Sequence, residues 1–134
     1  LTAFFDTNIL VYSVSSDPRK LAADRVLARG GFVSAQVLNE FVNVARKKLR
    51  HDWKDIEFAI TRFCRVVDDV LGLTRETNAS ALRIARDNGL SFYDALIVAS
   101  ALEARCETLW SEDMQHERAF GGLTIRNPFL AGSP

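Results

Sequence analysis

Cysteine and histidine are scarce in this chain, with two of each among 134 residues. Cys64 and Cys106 stand alone, and no CxxC, CxxH or HxxxH spacing occurs. That excludes a disulfide framework and argues against a thiolate–imidazole zinc site. The two thiols read as half-buried groups in a reducing, cytoplasmic compartment. No charge of one sign predominates: 17 basic and 17 acidic residues give a formal net charge of zero. Global charge therefore does not advertise nucleic acid. A nucleic-acid site would have to be a local patch, or use bound cations to reverse the local sign. Long apolar runs are also missing. The stretch from Ala95 to Leu102 falls well short of the ~20 residues a membrane span needs. The opening Leu1-Thr2-Ala3-Phe4-Phe5-Asp6 has no basic segment and no long apolar segment, against a signal peptide. Leu in place of Met at position 1 leaves the natural start open. There is no P-loop and no GxGxxG, and no Ser-His-Asp or Cys-His arrangement is apparent.

What is present is an ordinary globular composition, 48% hydrophobic and 25% charged, enough for one domain with its own core. Against it stand four acids: Asp6, Glu40, Asp94 and Asp113. The first three interrupt apolar runs, namely Phe4-Phe5-Asp6 before Ile9-Leu10-Val11, Val37-Leu38-Asn39-Glu40-Phe41-Val42, and Asp94-Ala95-Leu96-Ile97-Val98. A carboxylate in such a setting is partly buried, and a buried unpaired charge is costly. Few basic residues are adjacent in sequence, so a divalent cation is the economical compensation.

Short strands alternate with helices along the chain. Strands are expected at Ala3–Asp6, Phe32–Ser34, Val66–Val70, Thr108–Ser111 and Leu123–Arg126. Thr7-Asn8 turns the chain into a helical stretch at Ile9–Tyr12. Ser16-Asp17-Pro18 starts a helix that stops at Gly30-Gly31. Further helices are expected over Ala35–Leu49, Asp52–Arg65, from a Thr74 cap to Asn88-Gly89, and from Ser91 through Cys106. Residues 130–134 read as a frayed tail. This order predicts a single α/β domain over residues 1–134, with a short, mainly parallel sheet of about four to five strands. In such sheets sites form beyond the carboxyl ends of the strands. All four acids fall at or near that edge.

Each acid also has a plainer role. Asp6 could cap the helix after it, and Glu40 could pair with a nearby Arg or Lys. Asp94 sits three residues after Ser91, the spacing of a capping box, and Asp113 lies in a polar turn. Four acids on one edge would repel each other unless cations intervene. An all-oxygen ligand set suits Mg²⁺ or Mn²⁺. Such ions activate water and stabilise the leaving oxygen in phosphodiester cleavage.

Four blocks, Phe5-Asp6-Thr7-Asn8-Ile9-Leu10, Val37-Leu38-Asn39-Glu40-Phe41, Phe92-Tyr93-Asp94-Ala95-Leu96-Ile97-Val98-Ala99 and Leu109-Trp110-Ser111-Glu112-Asp113, resemble the motifs of PIN-domain nucleases, in the family's order. The resemblance covers essentially the whole chain. The length and the ending Gly122-Leu123-Thr124-Ile125-Arg126-Asn127-Pro128-Phe129 are similar to bacterial VapC toxins of type II toxin–antitoxin systems. The resemblance implies a PIN-like three-layer α/β/α fold and a Mg²⁺- or Mn²⁺-dependent endoribonuclease. It implies an RNA substrate, inhibition by a VapB-type antitoxin, and usually a homodimer. Asp6 and Asp94 would then be the principal metal ligands, with Glu40 and Asp113 completing the catalytic quartet. Thr7, Asn8 and Ser111 match supporting polar positions. Arg46, Lys47, Lys48 and Arg50, with His51, form the densest basic run and are candidates for RNA contact, although a helix end also favours such residues. Arg83 and Arg86 are weaker candidates. Tyr12, Phe92 and Tyr93 could stack on bases, or serve packing and dimer contact. Two other readings compete: a PIN-like RNA- or protein-binding module with an idle acidic pocket, and a phosphatase with an aspartyl nucleophile. The second usually needs an acid two residues after the first, where this chain has Asn8.

Overall fold

A computed structural model describes residues 2–130. The elements run in the order β1 (Ala3–Phe5), α1 (Thr7–Ser13), α2 (Lys20–Ala28), β2 (Phe32–Ser34), α3 (Ala35–Lys47), α4 (Trp53–Val66), β3 (Asp69–Leu71), α5 (Arg75–Asn88), α6 (Phe92–Glu103), β4 (Thr108–Trp110), β5 (Ala119–Phe120) and β6 (Leu123–Arg126). The strands form one sheet in the order β3-β2-β1-β4-β6-β5. Every pairing is parallel except β5 with β6. Helices cover both faces, giving three α/β/α layers.

Burial explains the strand sequences. Phe4, Leu109 and Ile125 are register partners across β1, β4 and β6, and all three are fully buried. Phe5 and Trp110 are partners on the opposite face and are also buried. A sheet covered on both sides accepts no polar alternation, so these strands read as continuous apolar runs. Helix ends follow their caps. Ser34 accepts the Val37 N–H at 3.3 Å, and Thr74 and Thr77 cap reciprocally. Gly89 ends α5 in the left-handed conformation at φ 67°.

The elements differ from the sequence expectation in several places. The sheet has six strands rather than four to five, because β5 is a two-residue strand whose hairpin turns on Gly121-Gly122. Two residues carry no periodicity to read. The segment at Asp17-Pro18 is a turn, with the Asp17 carboxylate and carbonyl taking the Arg19 and Lys20 N–H groups, and α2 starts only at Lys20. Val66 completes α4 instead of opening β3, since Val67 is drawn into the core and the Asp68 N–H bonds the Gly31 carbonyl at 2.7 Å. α3 and α6 also stop earlier than expected, at Lys47 and Glu103. Residues 131–134 of the expected tail lie outside the described residues.

Gly31 matters to the site because it packs under β1. A Cβ there would lie 2.7 Å from the Ala3 carbonyl oxygen and 2.7 Å from Phe5 Cε2, at a φ of +153°. Neither the backbone nor the buried Phe5 ring can yield. Gly31→Ala should lower stability by about 3 kcal/mol, combining backbone strain and overpacking. A urea midpoint unchanged from wild type would contradict this.

Candidate active site

Asp6 follows β1 directly and caps α1. Its backbone N–H extends the strand ladder to the Trp110 carbonyl at 2.9 Å. The residue is 5% exposed. Oδ1 accepts the Thr7 N–H at 2.7 Å, and Oδ2 accepts the Ser111 hydroxyl at 2.6 Å. The Asn8 amide adds a longer contact to Oδ2, at 3.5 Å. The capping role and a site role therefore coexist in one side chain. Burial pushes the Asp6 carboxyl up to about 6. Ser111 and Thr7 resist that rise, while Asp94 and Asp113 add to it.

Glu40 lies on α3, half-buried. Burial, and then repulsion from Asp6, push its carboxyl up to about 7. Gln36 and Thr7 lie close enough to ease that rise, yet Glu40 Oε2 and Thr7 Oγ1 are both buried without a hydrogen-bond partner of good geometry. Asp94 stands in the first turn of α6, where the Ser91 hydroxyl accepts its N–H at 3.3 Å. The reciprocal half of the capping box, from the Asp94 side chain to the Ser91 backbone, does not form. Burial raises the Asp94 carboxyl, Ser91 lowers it, and Asp113 raises it further. Asp113 is exposed on the loop after β4 and takes the Asn8 amide at 3.2 Å.

Four separated segments thus bring Asp6, Glu40, Asp94 and Asp113 to one pocket of about 320 Å³. Among the described residues none of the four has an ion-pair partner, which removes the plain pairing once open for Glu40. A larger cleft of about 800 Å³, lined by Arg29, Arg105, Trp110 and Arg126, shares no residue with this pocket. Its size does not make it the better site: its one acid is Glu107, and no unpaired acidic cluster lies there.

The residues present suit a hard divalent cation. The donors are all oxygen, one carboxylate oxygen is buried without a partner, and among the described residues no ion pair neutralises any of the four acids. Among the described residues no three Asp, Glu, His or Cys side chains draw close enough to cage an ion unaided. A bound ion would take only part of its shell from the chain, the rest from water and phosphate, as Mg²⁺ commonly does.

The basic run does not act together. Arg46 stacks over the Trp53 ring at 4.7 Å and donates to the His51 carbonyl at 3.1 Å. Lys48 lines the acidic pocket, whereas Arg46, Lys47 and Arg50 do not. Tyr12 and Glu112, which line the pocket and share a hydrogen bond, and Arg19, which contacts both, escaped the sequence reading in these roles. The available signal was the spacing of Asn8 and Tyr12, four apart on one helix face.

The sequence matches the PIN domain family over residues 3–120. The chain belongs to the PIN domain family. No curated protein matches its sequence. Several solved structures share the PIN fold. VapC20 of Mycobacterium tuberculosis, described as a sarcin-ricin loop cleaving toxin, is 22% identical with a TM-score of 0.70, covering 84% of this chain and 90% of that one. A toxin–antitoxin complex from Klebsiella pneumoniae is 21% identical with a TM-score of 0.71, covering 96% and 98%. VapBC2 of Rickettsia felis, bound to a DNA fragment of its promoter, is 17% identical with a TM-score of 0.69, covering 95% and 98%. Among the described residues of this PIN domain, no helix is long and apolar enough to cross a membrane.

Ser111 gives this PIN site a direct test. Removing its hydroxyl leaves Asp6 Oδ2 with only the long Asn8 contact. Ser111→Ala should lower stability by about 2 kcal/mol at pH 8, the scale of a hydrogen bond to a charged group. The loss should shrink below pH 5, where Asp6 is protonated. Equal losses at both pH values, by denaturant titration, would contradict the assignment.

Proposed function

We propose that this PIN-domain chain, a single domain over residues 1–134, is a divalent-metal-dependent endoribonuclease. The observation that carries the proposal is the convergence of four unpaired carboxylates on one pocket, with the Asp6 carboxylate almost wholly buried. Asp6 and Asp94 would hold Mg²⁺ or Mn²⁺, with Glu40 and Asp113 completing the shell directly or through water. A cation bound there supplies an acidified water and offsets charge on the scissile phosphate. Asp6 is kept in place for this by Thr7 and Ser111, and Asn8 spans Asp6 and Asp113. Glu40, ionised beside the cation, would orient the attacking water or accept its proton. Lys48 at the pocket wall supplies positive charge for the RNA backbone.

The same reading extends to biology. Similarity in fold to VapBC complexes supports a cytoplasmic toxin, dimeric and held inactive by a VapB-type antitoxin. Incubation of total RNA with the purified chain, with Mg²⁺ or Mn²⁺ and then with excess EDTA, tests the nuclease reading. Cleavage at discrete positions that EDTA abolishes is the expected result; full cleavage in EDTA would sink it. An idle acidic pocket would instead leave RNA intact with either ion.

A further inference from the structure

The loop that carries Asp113 has no strand pairing over residues 112–114; it is flanked by the Ser111 N–H, bonded to the Arg126 carbonyl at 2.9 Å, and the Met114 N–H, bonded to the Ser111 hydroxyl at 3.3 Å. Asp113 itself is exposed, and its hydrogen bond from the Asn8 amide at 3.2 Å is a single tether. Its place at the pocket therefore depends on what holds the loop. The backbone is held at Glu112, whose N–H donates to Asn8 Oδ1 at 3.2 Å. The Glu112 side chain is held separately. The Tyr12 hydroxyl donates to Glu112 Oε1 at 2.5 Å and accepts from Arg19 Nη1 at 2.7 Å. Arg19 Nε closes the ring on Glu112 Oε2 at 3.3 Å. The Arg19 guanidinium also lies over the Tyr12 ring at 5.0 Å, and Phe129 meets that ring edge-on at 5.0 Å.

Helical geometry explains the double grip. Asn8 and Tyr12 are four residues apart on α1, so they stand one above the other on the same face. One holds the loop by its backbone and the other by its side chain. An exposed Arg–Glu pair alone would contribute little. The Tyr12–Glu112 bond is half-buried, short and charge-assisted, which makes it the stronger element. The clamp has a second consequence. Glu112 lines the acidic pocket, but both its oxygens are engaged and its charge is paired. It does not act as a fifth unpaired carboxylate.

We infer that Tyr12 and Arg19 are positioning residues, which grip the Glu112 side chain and thereby hold Asp113 at the acidic pocket. The catalytic consequence rests on the ribonuclease reading; the mechanical one does not. Tyr12→Phe is the sharpest variant, because it keeps the ring between Arg19 and Phe129 and deletes only the bridging hydroxyl. Hydrogen exchange of the Glu112 amide, which is bonded to Asn8 Oδ1, should become about tenfold faster. Mn²⁺ affinity without RNA should weaken about tenfold, and kcat should fall about tenfold with KM unchanged. In an Asp113→Asn background Tyr12→Phe should add no further loss, since both act through the same carboxylate. Arg19→Lys, at an exposed position, should give smaller changes in the same directions. Unchanged amide exchange in Tyr12→Phe would overturn the inference, as would full additivity with Asp113→Asn. A wild-type chain that bound no Mn²⁺ and cut no RNA would sink the functional reading instead, and amide exchange would still decide the clamp.

Discussion

Asp6→Asn should reduce metal-dependent RNA cleavage by at least ~10³-fold and leave the fold intact. The magnitude follows from the role: metal-ion stabilisation of a phosphoryl transition state is worth several kcal/mol, and each 1.36 kcal/mol is about tenfold in rate. The intact fold follows from the local geometry. Asn retains an oxygen for the Thr7 N–H, which lies 2.7 Å from the Asp6 carboxylate, and its amide can donate to the Ser111 oxygen. It also removes the charge of a residue that is 5% exposed and has no ion-pair partner among the described residues. Metal-free Asp6→Asn should therefore melt at or above the wild-type temperature. The rise in melting temperature that Mg²⁺ or Mn²⁺ gives the wild type should largely vanish. Lost activity with a normal circular dichroism spectrum and no metal-dependent stabilisation is the expected combination. Retained cleavage, or loss of activity through unfolding, would contradict the role given to Asp6.

The second large effect is on pH. Metal-free protein should lose stability as pH rises from about 4 to about 7. Asp6 is pushed from 3.8 to about 6 and Glu40 from 4.5 to about 7, chiefly by burial. Between the unfolded and folded values, the folded chain holds protons that the unfolded chain has released. Stability then falls with pH, because the slope follows protons bound unfolded minus folded. The contribution is complete below the unfolded values and is lost as pH passes through the folded ones. For the nearly buried Asp6 it amounts to about 3 kcal/mol. A divalent cation inverts the trend, because it needs both carboxylates ionised and must displace their protons. Mg²⁺ affinity should therefore tighten between pH 5.5 and 7.5, by up to about tenfold per pH unit for each proton displaced. Melting temperatures measured with Mg²⁺ and with EDTA should diverge as pH rises. A constant gap across that range would contradict the shared, partly protonated acidic site.

Much of the site was legible because burial leaves a mark in sequence. Asp6 after two phenylalanines and Glu40 within an apolar helix stand out by contrast with their neighbours. Asp94 was ambiguous by itself: the Ser91 hydroxyl does cap its N–H, but the reciprocal half of a capping box does not form. What sets Asp94 apart is that it lines one pocket with the other three acids, which sequence does not carry. The basic run shows the opposite case. Adjacent residues on a helix end point in different directions, so Lys48 reaches the pocket while Arg46 is committed to Trp53 and the His51 carbonyl. The Tyr12–Arg19–Glu112 clamp was hidden because Glu112 is 100 residues from Tyr12.

The sequence by itself determined the strand–helix alternation, the parallel α/β architecture, the PIN resemblance and the four acids. Each is a local pattern: apolar runs, caps, glycine stops, and charges set against hydrophobic neighbours. Only the tertiary structure decided that β5 exists, which basic residue faces the pocket, and what anchors the Asp113 loop. Those depend on strand pairing and side-chain direction between distant segments, and local chemistry does not specify them. The acids are written into the chain one at a time. The convergence of four like charges without a partner, which turns them into a candidate site, is set by the fold.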